Sequence, residues 1–341
     1  MKGALDIFRF LLDAAGRGER TALVTITDVI GRSSRAPGTH FAVSETGAFR
    51  GSISGGCVEA ALVGLAQRVI TRGTSERIRL GVGSPYIDVR LPCGGGLDLL
   101  VIPDPAAEAL SRACDQLEQR QSLALALHPD GRIWIEQSPP DEFAGWSAGI
   151  FHVRHDPEIR LVVIGQGSET EALARLAIAY GAVVEVLTPD AAIAEASVQR
   201  GARAWHLSSP SSSVHLTGDH HTAIIMLFHD HDREPELLIQ ALSVRAFYIG
   251  AMGSRQTHER RLATLREHGV PDKLSRRIVA PVGMIRSARD PDTLALSILS
   301  QVVDAYRETS ATSCEAKSAG YLEALGLSPL PASRVTSDVW F

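Results

Sequence analysis

The sequence predicts a chain of two α/β domains, the second of them Rossmann-like, and three observations carry this prediction. The chain has 341 residues, which is enough for two hydrophobic cores. In its second half a continuous apolar run, Arg160–Ile164, leads into a glycine-rich turn and a helix, the order typical of a strand buried in a parallel sheet. In its first half, short alternating strands and amphipathic helices follow one another.

The domain boundaries follow from a shift in composition. The stretch 137–157 is rich in proline and glycine, which is typical of a segment between domains. We therefore predict a first α/β domain over 1–145, a linker over 146–157, a Rossmann-like parallel-sheet domain over 158–310 and a C-terminal tail over 311–341. No function follows from the sequence of the tail.

Composition and charge disfavour several classes of protein. The formal net charge of −5 argues against a partner such as nucleic acid or an anionic membrane surface. Apolar runs such as 223–228 are far shorter than a membrane span. The first twenty residues carry Asp6, Arg9 and Asp13 instead of the apolar core of a signal peptide, so we expect a cytoplasmic protein. Its four cysteines are too few for a disulfide framework and are expected to be free thiols.

Hydrophobic periodicity predicts the elements of the first domain in order. Apolar residues at helical spacing indicate amphipathic helices over 4–16, 58–70 and 106–120. Alternating apolar residues indicate strands over 21–29, 76–82, 87–91 and 97–102. Two hairpins are predicted, one pairing 41–43 with 47–49 and the other pairing 123–127 with 132–135.

The most informative segment is the glycine-rich loop from Gly51 to Glu59, which opens the second helix. Glycines let backbone N–H groups turn toward a common point, and a helix N-terminus attracts anions. The loop therefore predicts an anion cradle with a thiol in it, formed by Ser52, Ser54, Gly55, Gly56 and Cys57. A tight turn around a small buried cysteine explains the same residues. A second glycine cluster, Cys93-Gly94-Gly95-Gly96, precedes the strand over 97–102.

The second domain begins with a partial dinucleotide-binding fingerprint. Gly165 and Gly167 follow the strand over 160–164, and a helix over 171–180 comes next. Thr170 stands where the fingerprint has its third glycine, which predicts looser packing of the helix on the strand. The layout favours a Rossmann-like fold, whereas NAD binding does not follow from a fold alone. Further strands are predicted over 182–187, 222–228 and 246–249, with a helix over 235–243.

Two polar clusters follow strands of the second domain, where the ligand crevice of an open parallel sheet lies. His229, Asp230 and His231 come directly after the strand over 222–228. They fit a polar crevice wall with a helix-capping Asp better than a tight metal site, because no third ligand has a recognisable spacing. The second cluster, Gly253-Ser254-Arg255, opens another helix and suits an anionic group with Arg255 as its charge partner. A capped turn with a solvated arginine is the alternative.

Five separated segments also carry a family resemblance. They are Ser54–Glu59, Cys93–Gly95, Phe228–Asp232, Tyr248–Arg255 and Ala280–Gly283. Together they resemble the XdhC/CoxI family of accessory proteins of molybdenum hydroxylases such as xanthine dehydrogenase, and the loop Ser34–Gly38 is similar to the Arg-Pro-Pro-Gly loop of that family. The similarity runs from about residue 20 to about residue 305. Departures at Ser168, at Met284–Ala288 and in the shorter stretch before Cys93 leave the nucleotide preference and the client enzyme open.

The resemblance implies a two-domain, often homodimeric protein that binds molybdenum cofactor, as molybdopterin or in a dinucleotide form. It implies that the protein supports sulfuration of the cofactor by a cysteine desulfurase and inserts it into an apo molybdenum hydroxylase. No catalytic residues are assigned, because no nucleophile–base pair and no Walker loop is recognisable. We therefore expect a chaperone and not an enzyme. Cys57 is the expected metal ligand, and the expected cofactor-binding residues are Arg35, Ser52, Ser54, Gly55, Gly56, Cys57, Glu59, Cys93, Gly94, Gly95, Gly165, Gly167, His229, Asp230, His231, Gly253, Ser254 and Arg255.

Two other functions remain open from the sequence. An NAD(P)-dependent oxidoreductase built on the second domain would bind nicotinamide and transfer hydride. A nucleotide-sensing regulatory module would bind a nucleotide without helping any enzyme to mature. Retention of molybdenum cofactor or of NAD(P)H by the purified protein separates these alternatives.

Overall fold

The structure is a computed structural model that describes residues 3–31, 33–56, 58–85, 94–136, 143–207, 216–228 and 234–311, with side chains as far as residue 308. The chain divides into two compact units, Met1–Pro157 and Glu158–Phe341. Within the described residues, no helix is both long and apolar enough to cross a membrane.

The first unit contains three helices and nine strands in the part of the chain that is described. The helices are α1 (Ala4–Gly16), α2 (Glu59–Arg72) and α3 (Ala107–Glu118). The strands are β1 (Thr21–Ile30), β2 (His40–Ser44), β3 (Phe49–Gly51), β4 (Glu76–Gly81), β5 (Gly96–Pro103), β6 (Leu123–Leu127), β7 (Ile133–Glu136), β8 (Ala144–Ser147) and β9 (Ile150–His155). These bounds agree with the predicted helices and hairpins to within a few residues. The strand predicted over 87–91 lies outside the described residues.

Strand alternation gives the main sheet of the first unit two apolar faces. The sheet has the order β3-β2-β1-β5-β4, and every neighbouring pair is antiparallel. In β1, Leu23 packs into a core with α1 and α3, whereas Ala22, Val24 and Ile26 pack into a core with α2. This alternation is the period-2 pattern of a strand that is covered on both sides.

The predicted linker over 146–157 is wrong, because most of it forms β-structure. Strands β8 and β9 belong to a second sheet with the order β7-β6-β9-β8, and the contact boundary between the units lies after Pro157. Ala148 and Gly149, at φ 49° and 80°, form the tight turn between the two strands. The glycine therefore marks a hairpin turn, and Phe151 and Val153 alternate into the core.

The second unit is built on a sheet with parallel pairing throughout. Its described strands are β10 (Arg160–Gly165), β11 (Val183–Thr188), β12 (Arg203–His206), β13 (Thr222–Leu227), β14 (Tyr248–Ala251) and β15 (Ile278–Val279), in the sheet order β12-β11-β10-β13-β14-β15. Its described helices are α4 (Ser168–Tyr180), α5 (Ala191–Gln199), α6 (Glu234–Ser243), α7 (Arg255–Glu267), α8 (Asp272–Ser275) and α9 (Pro291–Ala311). Helices α4 and α9 cover one face, and α6 and α7 cover the other. The predicted Rossmann-like sheet is confirmed.

The strand order of the second unit reverses between β10 and β13. From β10 the chain proceeds outward to β11 and β12, and it then returns to β13 on the other side of β10. In sheets of this kind ligands bind outside the carboxyl ends of the strands at such a switch point. The turn after β10 and the segment after β14 both leave the sheet at this edge.

Candidate functional site

Residues 52–56 and Val58 of the first unit are organised around the carboxylate of Glu59, the first residue of α2. Its Oε1 accepts hydrogen bonds from the Ser52 hydroxyl (3.0 Å) and from the backbone N–H groups of Ile53 (3.1 Å), Ser54 (3.0 Å) and Gly55 (3.1 Å). Its Oε2 accepts from the Ser54 hydroxyl (2.8 Å) and from the N–H groups of Gly56 (2.8 Å) and Val58 (3.2 Å). The backbone N–H groups thus converge on one point, as the glycines predict, and the anion there belongs to the chain itself.

This geometry corrects the prediction of an open cradle. Glu59 is only 7% exposed. Burial raises the pKa of its carboxyl, but the hydrogen bonds led by those of Ser54 outweigh burial and lower the pKa to about 2. The carboxylate is therefore ionised at neutral pH and occupies the donors that were expected to face an external anion. Cys57, the predicted metal ligand in this loop, lies outside the described residues.

A cavity of about 400 Å³ borders the start of this loop within the first unit. The Arg35 Nε donates to the Ser52 carbonyl at 3.1 Å, which brings two of the predicted residues together at the cavity wall. Within the described part of the chain, the two terminal nitrogens of Arg35 have no hydrogen-bond acceptor. The cavity is lined by Gly3, Ala4, Asp6, Ile7, Arg35, Thr39, His40, Gly51 and Ser52.

A pair of buried histidines adjoins this cavity, and the sequence analysis missed both. His40 Nδ1 lies 2.8 Å from the Thr25 hydroxyl, and His40 Nε2 lies 3.2 Å from His155 Nε2. The Nδ1 atom of His155 has no hydrogen-bond partner among the described residues. Burial lowers the pKa of His40 to about 3 and also lowers the pKa of His155, so both rings are neutral. The residues are 115 positions apart, and nothing local in the sequence links them.

The second glycine cluster has a different neighbourhood. The Cα atom of Gly95 lies 3.7 Å from the position that a Cβ on Gly31 would occupy. The carbonyl of Gly95 accepts a hydrogen bond from the Val82 N–H at 3.1 Å. Gly94 precedes it with a φ of 68°. The described contacts of Gly95 are thus with Gly31 and Val82 at the start of β5. Cys93 lies outside the described residues.

The turn after β10 is built for close backbone approach. A Cβ on Gly165 would stand 2.7 Å from the Leu227 carbonyl oxygen and 2.7 Å from the Thr170 hydroxyl. Thr170 is fully buried, and its hydroxyl donates to the Gln166 carbonyl at 3.2 Å. The prediction that Thr170 loosens the packing of the helix on the strand is therefore wrong. Gly165 has no side chain, and the Thr170 side chain occupies the space beside it. Gly167 is exposed and precedes α4 with a φ of 79°.

The segment after β14 presents an exposed arginine at a capped helix start. Ser254 is the N-cap of α7, and its hydroxyl accepts from the Thr257 N–H at 3.1 Å. A Cβ on Gly253 would stand 2.7 Å from Thr257 Cγ2, so this position needs glycine. Arg255 is exposed and has no hydrogen-bond or ion-pair partner among the described residues. His229, Asp230 and His231 lie outside those residues.

A buried ion pair stabilises this edge of the sheet and was not predicted. Arg261 Nε and Nη2 donate to the two oxygens of Glu234 at 2.9 Å and 3.0 Å, and both side chains are almost fully buried. Arg261 Nη2 also donates to the Met252 carbonyl at 2.8 Å, just after β14. The only sequence signal was the spacing of Arg261 and Leu265, which share the buried side of α7.

No group of three His, Cys, Asp or Glu side chains in the described ranges is placed to hold a metal ion. The described cysteine, Cys114, is buried, and burial raises the pKa of its thiol to about 11. A reactive thiol is therefore to be sought among the other three cysteines of the sequence.

Fold and site together define a class of protein with two α/β units, one of them Rossmann-like, and glycine-rich segments in both. Residues 161–302 match the XdhC Rossmann domain, and residues 14–81 match the XdhC and CoxI family. The chain is 35% identical over 308 residues to the molybdenum cofactor insertion chaperone PaoD of Escherichia coli (strain K12), a match that covers 90% of each protein. The chain belongs to the XdhC/CoxI family, as its motifs predict.

The fold is also similar to that of a solved structure. The crystal structure described as a xanthine dehydrogenase from Bacillus halodurans has a TM-score of 0.72 to this chain, with 21% sequence identity. The match covers 89% of this chain and 96% of that one. At this level of identity the similarity supports the fold and leaves function to other observations.

Proposed function

We propose that this chain is a chaperone that binds molybdenum cofactor and inserts it into an apo molybdenum hydroxylase. The observation that carries the proposal is the similarity to the insertion chaperone PaoD, which extends over 90% of both proteins. The cofactor is cargo in this function, and no catalytic residue of the chain is required. A chaperone needs affinity for the cofactor and a route of release to its client.

The chemistry of the cargo suggests how individual residues contribute. Molybdenum accepts soft ligands, and a thiolate such as that of Cys57 is one of them. The cofactor carries one phosphate, or two in its dinucleotide forms. Each phosphate suits a guanidinium, which can donate two parallel hydrogen bonds, and Arg255 is one candidate because it is exposed at a helix start. We assign the Glu59 carboxylate to holding the loop on either side of Cys57, because it occupies the N–H groups of Gly56 and Val58.

The finer parts of the proposal rest on the family resemblance. They are support of cofactor sulfuration together with a cysteine desulfurase, a client similar to xanthine dehydrogenase, and a homodimeric state. The form of the cofactor, molybdopterin or a dinucleotide, belongs with them. Each can be tested separately from cofactor binding.

A nicotinamide-dependent oxidoreductase is the second candidate, and the Gly165–Gly167 turn at the switch point of the parallel sheet favours it. Asp190, the acidic residue after β11, is the N-cap of α5, and its Oδ1 accepts from the N–H groups of Ala192 and Ile193 at 3.0 Å and 3.3 Å. Its Oδ2 can still accept from a ribose hydroxyl, so the geometry at Asp190 is compatible with a bound nucleotide.

The two candidates separate in one experiment. The purified chain is incubated anaerobically with molybdenum cofactor or with NAD(P)H, passed through a desalting column, and assayed for retained pterin or nicotinamide. The chaperone proposal expects retention of the cofactor and its transfer to an apo hydroxylase with recovery of activity. Retention of NAD(P)H alone would overturn it in favour of an oxidoreductase or a nucleotide sensor.

A further inference from the structure

The cavity of the first unit has a size suited to a small ligand. Its volume of about 400 Å³ falls within the range of roughly 300–1,000 Å³ that is usual for ligand pockets. It lies between the first turn of α1, the chain around Arg35 and Thr39, and the segment Gly51–Ser52. All of these described lining residues belong to the first unit.

Most polar groups of the cavity wall are already engaged. Both ring nitrogens of His40 have partners, and the Thr39 hydroxyl donates to the Ala36 carbonyl at 2.8 Å. The Ser52 hydroxyl donates to Glu59 and accepts from Gly55. These groups form a fixed wall and have no hydrogen left to donate to a ligand.

Among the described lining residues, two charged side chains can bind a ligand. Arg35 uses only its Nε, so its two terminal nitrogens can donate to a ligand. Asp6 has Arg50 as its ion-pair partner at 3.5 Å, and both side chains are more than half exposed. An ion pair of this kind contributes little and exchanges readily with a ligand. The remainder of the wall is apolar or neutral, with Ala4, Ile7 and the uncharged ring of His40.

The described wall has one cation, one anion and an apolar or neutral remainder, and this composition favours a particular kind of ligand. Such a ligand has an apolar body, an anionic group for the guanidinium and N–H donors for the carboxylate. An ionised carboxylate accepts two parallel N–H groups, and a guanidinium donates two to a phosphate. A pterin has an amide N–H beside an exocyclic amine on its pyrimidine ring, and a phosphorylated pterin adds the anion.

We propose that this cavity binds the pterin portion of the cargo, with Asp6 accepting from the amino-pyrimidinone edge and Arg35 donating to the phosphate. This inference rests on the proposed function for the identity of the ligand and deepens it by assigning a subsite. The sequence predicts an anion cradle in the loop that adjoins this cavity. The N–H groups of residues 53–56 donate to Glu59, so we assign the role of anion donor to the adjoining Arg35.

The experiment uses the full chain and three probes that divide the ligand into its parts: neopterin, neopterin monophosphate and inorganic phosphate. Binding is measured by pterin fluorescence for the first two and by calorimetry for the third. The variants are Asp6→Asn and Arg35→Gln. The matched controls are Asp13→Asn, on the same helix, and Arg50→Gln, which removes the competing partner of Asp6.

The expected pattern assigns each end of the ligand to one residue. Asp6→Asn weakens both pterins about tenfold and leaves phosphate binding unchanged, since one charge-assisted contact is lost. Arg35→Gln reduces the affinity for the monophosphate to that for neopterin and abolishes phosphate binding. Asp13→Asn changes nothing, and Arg50→Gln leaves pterin binding equal or tighter. Thermal unfolding of each variant verifies that the fold is intact.

The outcomes also separate this inference from the proposed function. If the native chain retains molybdenum cofactor while neither Asp6→Asn nor Arg35→Gln alters probe binding, the cavity assignment is overturned and the chaperone function stands. If the native chain retains no molybdenum cofactor, the proposed function fails, and the probe measurements still decide whether the cavity binds pterins. Equal loss of all three probes in both variants would also overturn the assignment of separate ends.

Discussion

Ser54 holds both carboxylate oxygens of Glu59, with its backbone N–H donating to Oε1 at 3.0 Å and its hydroxyl donating to Oε2 at 2.8 Å. The loop that precedes α2 therefore closes on a charge that is covalently part of the helix it opens. Five backbone N–H groups and two hydroxyls depend on this one carboxylate. The conformation of the loop therefore depends on the ionisation of Glu59.

Replacing Glu59 with glutamine should loosen this loop. The amide removes the charge and places an NH₂ group against N–H donors, which leaves buried donors unsatisfied. We expect a loss of about 3 kcal/mol in the unfolding free energy of the first unit and much faster hydrogen exchange of the N–H groups of residues 53–56. Glu76→Gln, in the exposed pair with Arg72, is the control and should cost less than about 1 kcal/mol. Unchanged exchange in the Glu59 variant would contradict this account.

The His40–His155 pair should make the first unit sensitive to mild acid. Both histidines have a pKa below that of an unfolded histidine, so the unfolded chain binds more protons as the pH falls. Above about pH 6.5 both rings are neutral in the folded and the unfolded chain. Below that pH, stability falls by about 1.4 kcal/mol per pH unit for each ring that stays neutral in the fold, and for His40 this continues down to about pH 3. Glu59 adds a further loss only below about pH 4.5, since its own pKa is lowered to about 2.

Urea unfolding between pH 7 and 5 measures this effect separately from that of the carboxylates. His155→Phe should reduce the pH slope by about one proton, or about 1.4 kcal/mol per pH unit, whatever it does to stability at pH 7. His128→Phe is the control, because His128 lies in a hairpin turn, only half-buried and beside Asp130. A slope that is the same in the native chain and the His155 variant would exclude the buried pair as its source.

Local patterns predicted the elements well and the side-chain partners poorly. The apolar run at 160–164 and the glycine after it predict strand β10 and its turn, because these signals lie within a few residues. By contrast, the convergence of N–H groups at residues 53–58 was predicted, but their partner was not. Glu59 was counted among the ligand-binding residues, although its side chain is long enough to fold back on the loop that it follows.

Other differences arise from contacts that are distant in the sequence. Proline and glycine at 137–157 have the composition of a linker, yet β9 pairs with β6, which lies about 30 residues earlier. Composition cannot reveal this pairing. Likewise, the dinucleotide-binding pattern predicts looser packing at Thr170, because the pattern does not show the space beside Gly165 that the Thr170 side chain occupies.

The buried pair of Glu234 and Arg261 should be strongly coupled. Arg261→Met removes both guanidinium hydrogen bonds from a buried carboxylate in the second unit, and we expect a loss of about 3–5 kcal/mol. Glu234→Gln combined with Arg261→Met should recover a large part of this loss, since the buried negative charge is gone as well. The exposed pair Arg9–Glu118 provides the control cycle, with a coupling of less than about 1 kcal/mol. Additive effects of Glu234→Gln and Arg261→Met would refute the coupling.

Arg255 should contribute to cargo binding through its charge alone. It is exposed at the first position of α7, so its removal leaves the core of the second unit intact. We expect Arg255→Ala to weaken binding of molybdenum cofactor by about 1.5–3 kcal/mol, the range for a hydrogen bond to a charged group. Arg266→Ala, in the last turn of the same helix, is the matched control and should bind as the native chain does. Equal affinities of the two variants would remove Arg255 from the binding site.

The reactivity and the variants of Cys57 test whether the loop binds molybdenum or only forms a tight turn. We expect two opposing effects on the pKa of its thiol. A position just before α2 is expected to lower this pKa. The carboxylate of Glu59 is expected to raise it, because the residues before and after Cys57 in the sequence both donate to Glu59 Oε2. The pH dependence of alkylation measures the resulting pKa, and Glu59→Gln should lower it.

If the thiolate is a ligand, Cys57→Ser keeps the fold and sharply reduces cofactor retention, because oxygen is a poorer soft ligand than sulfur. Cys93→Ser, in the second glycine cluster, should have a smaller effect of the same sign, since we propose that Cys93 supports Cys57. Cys114→Ser is the control for a buried thiol and should retain cofactor fully. If Cys57→Ala retains cofactor and the native thiol resists alkylation, Cys57 is not a ligand. Its role is then that of a small residue that allows the glycine turn to pack.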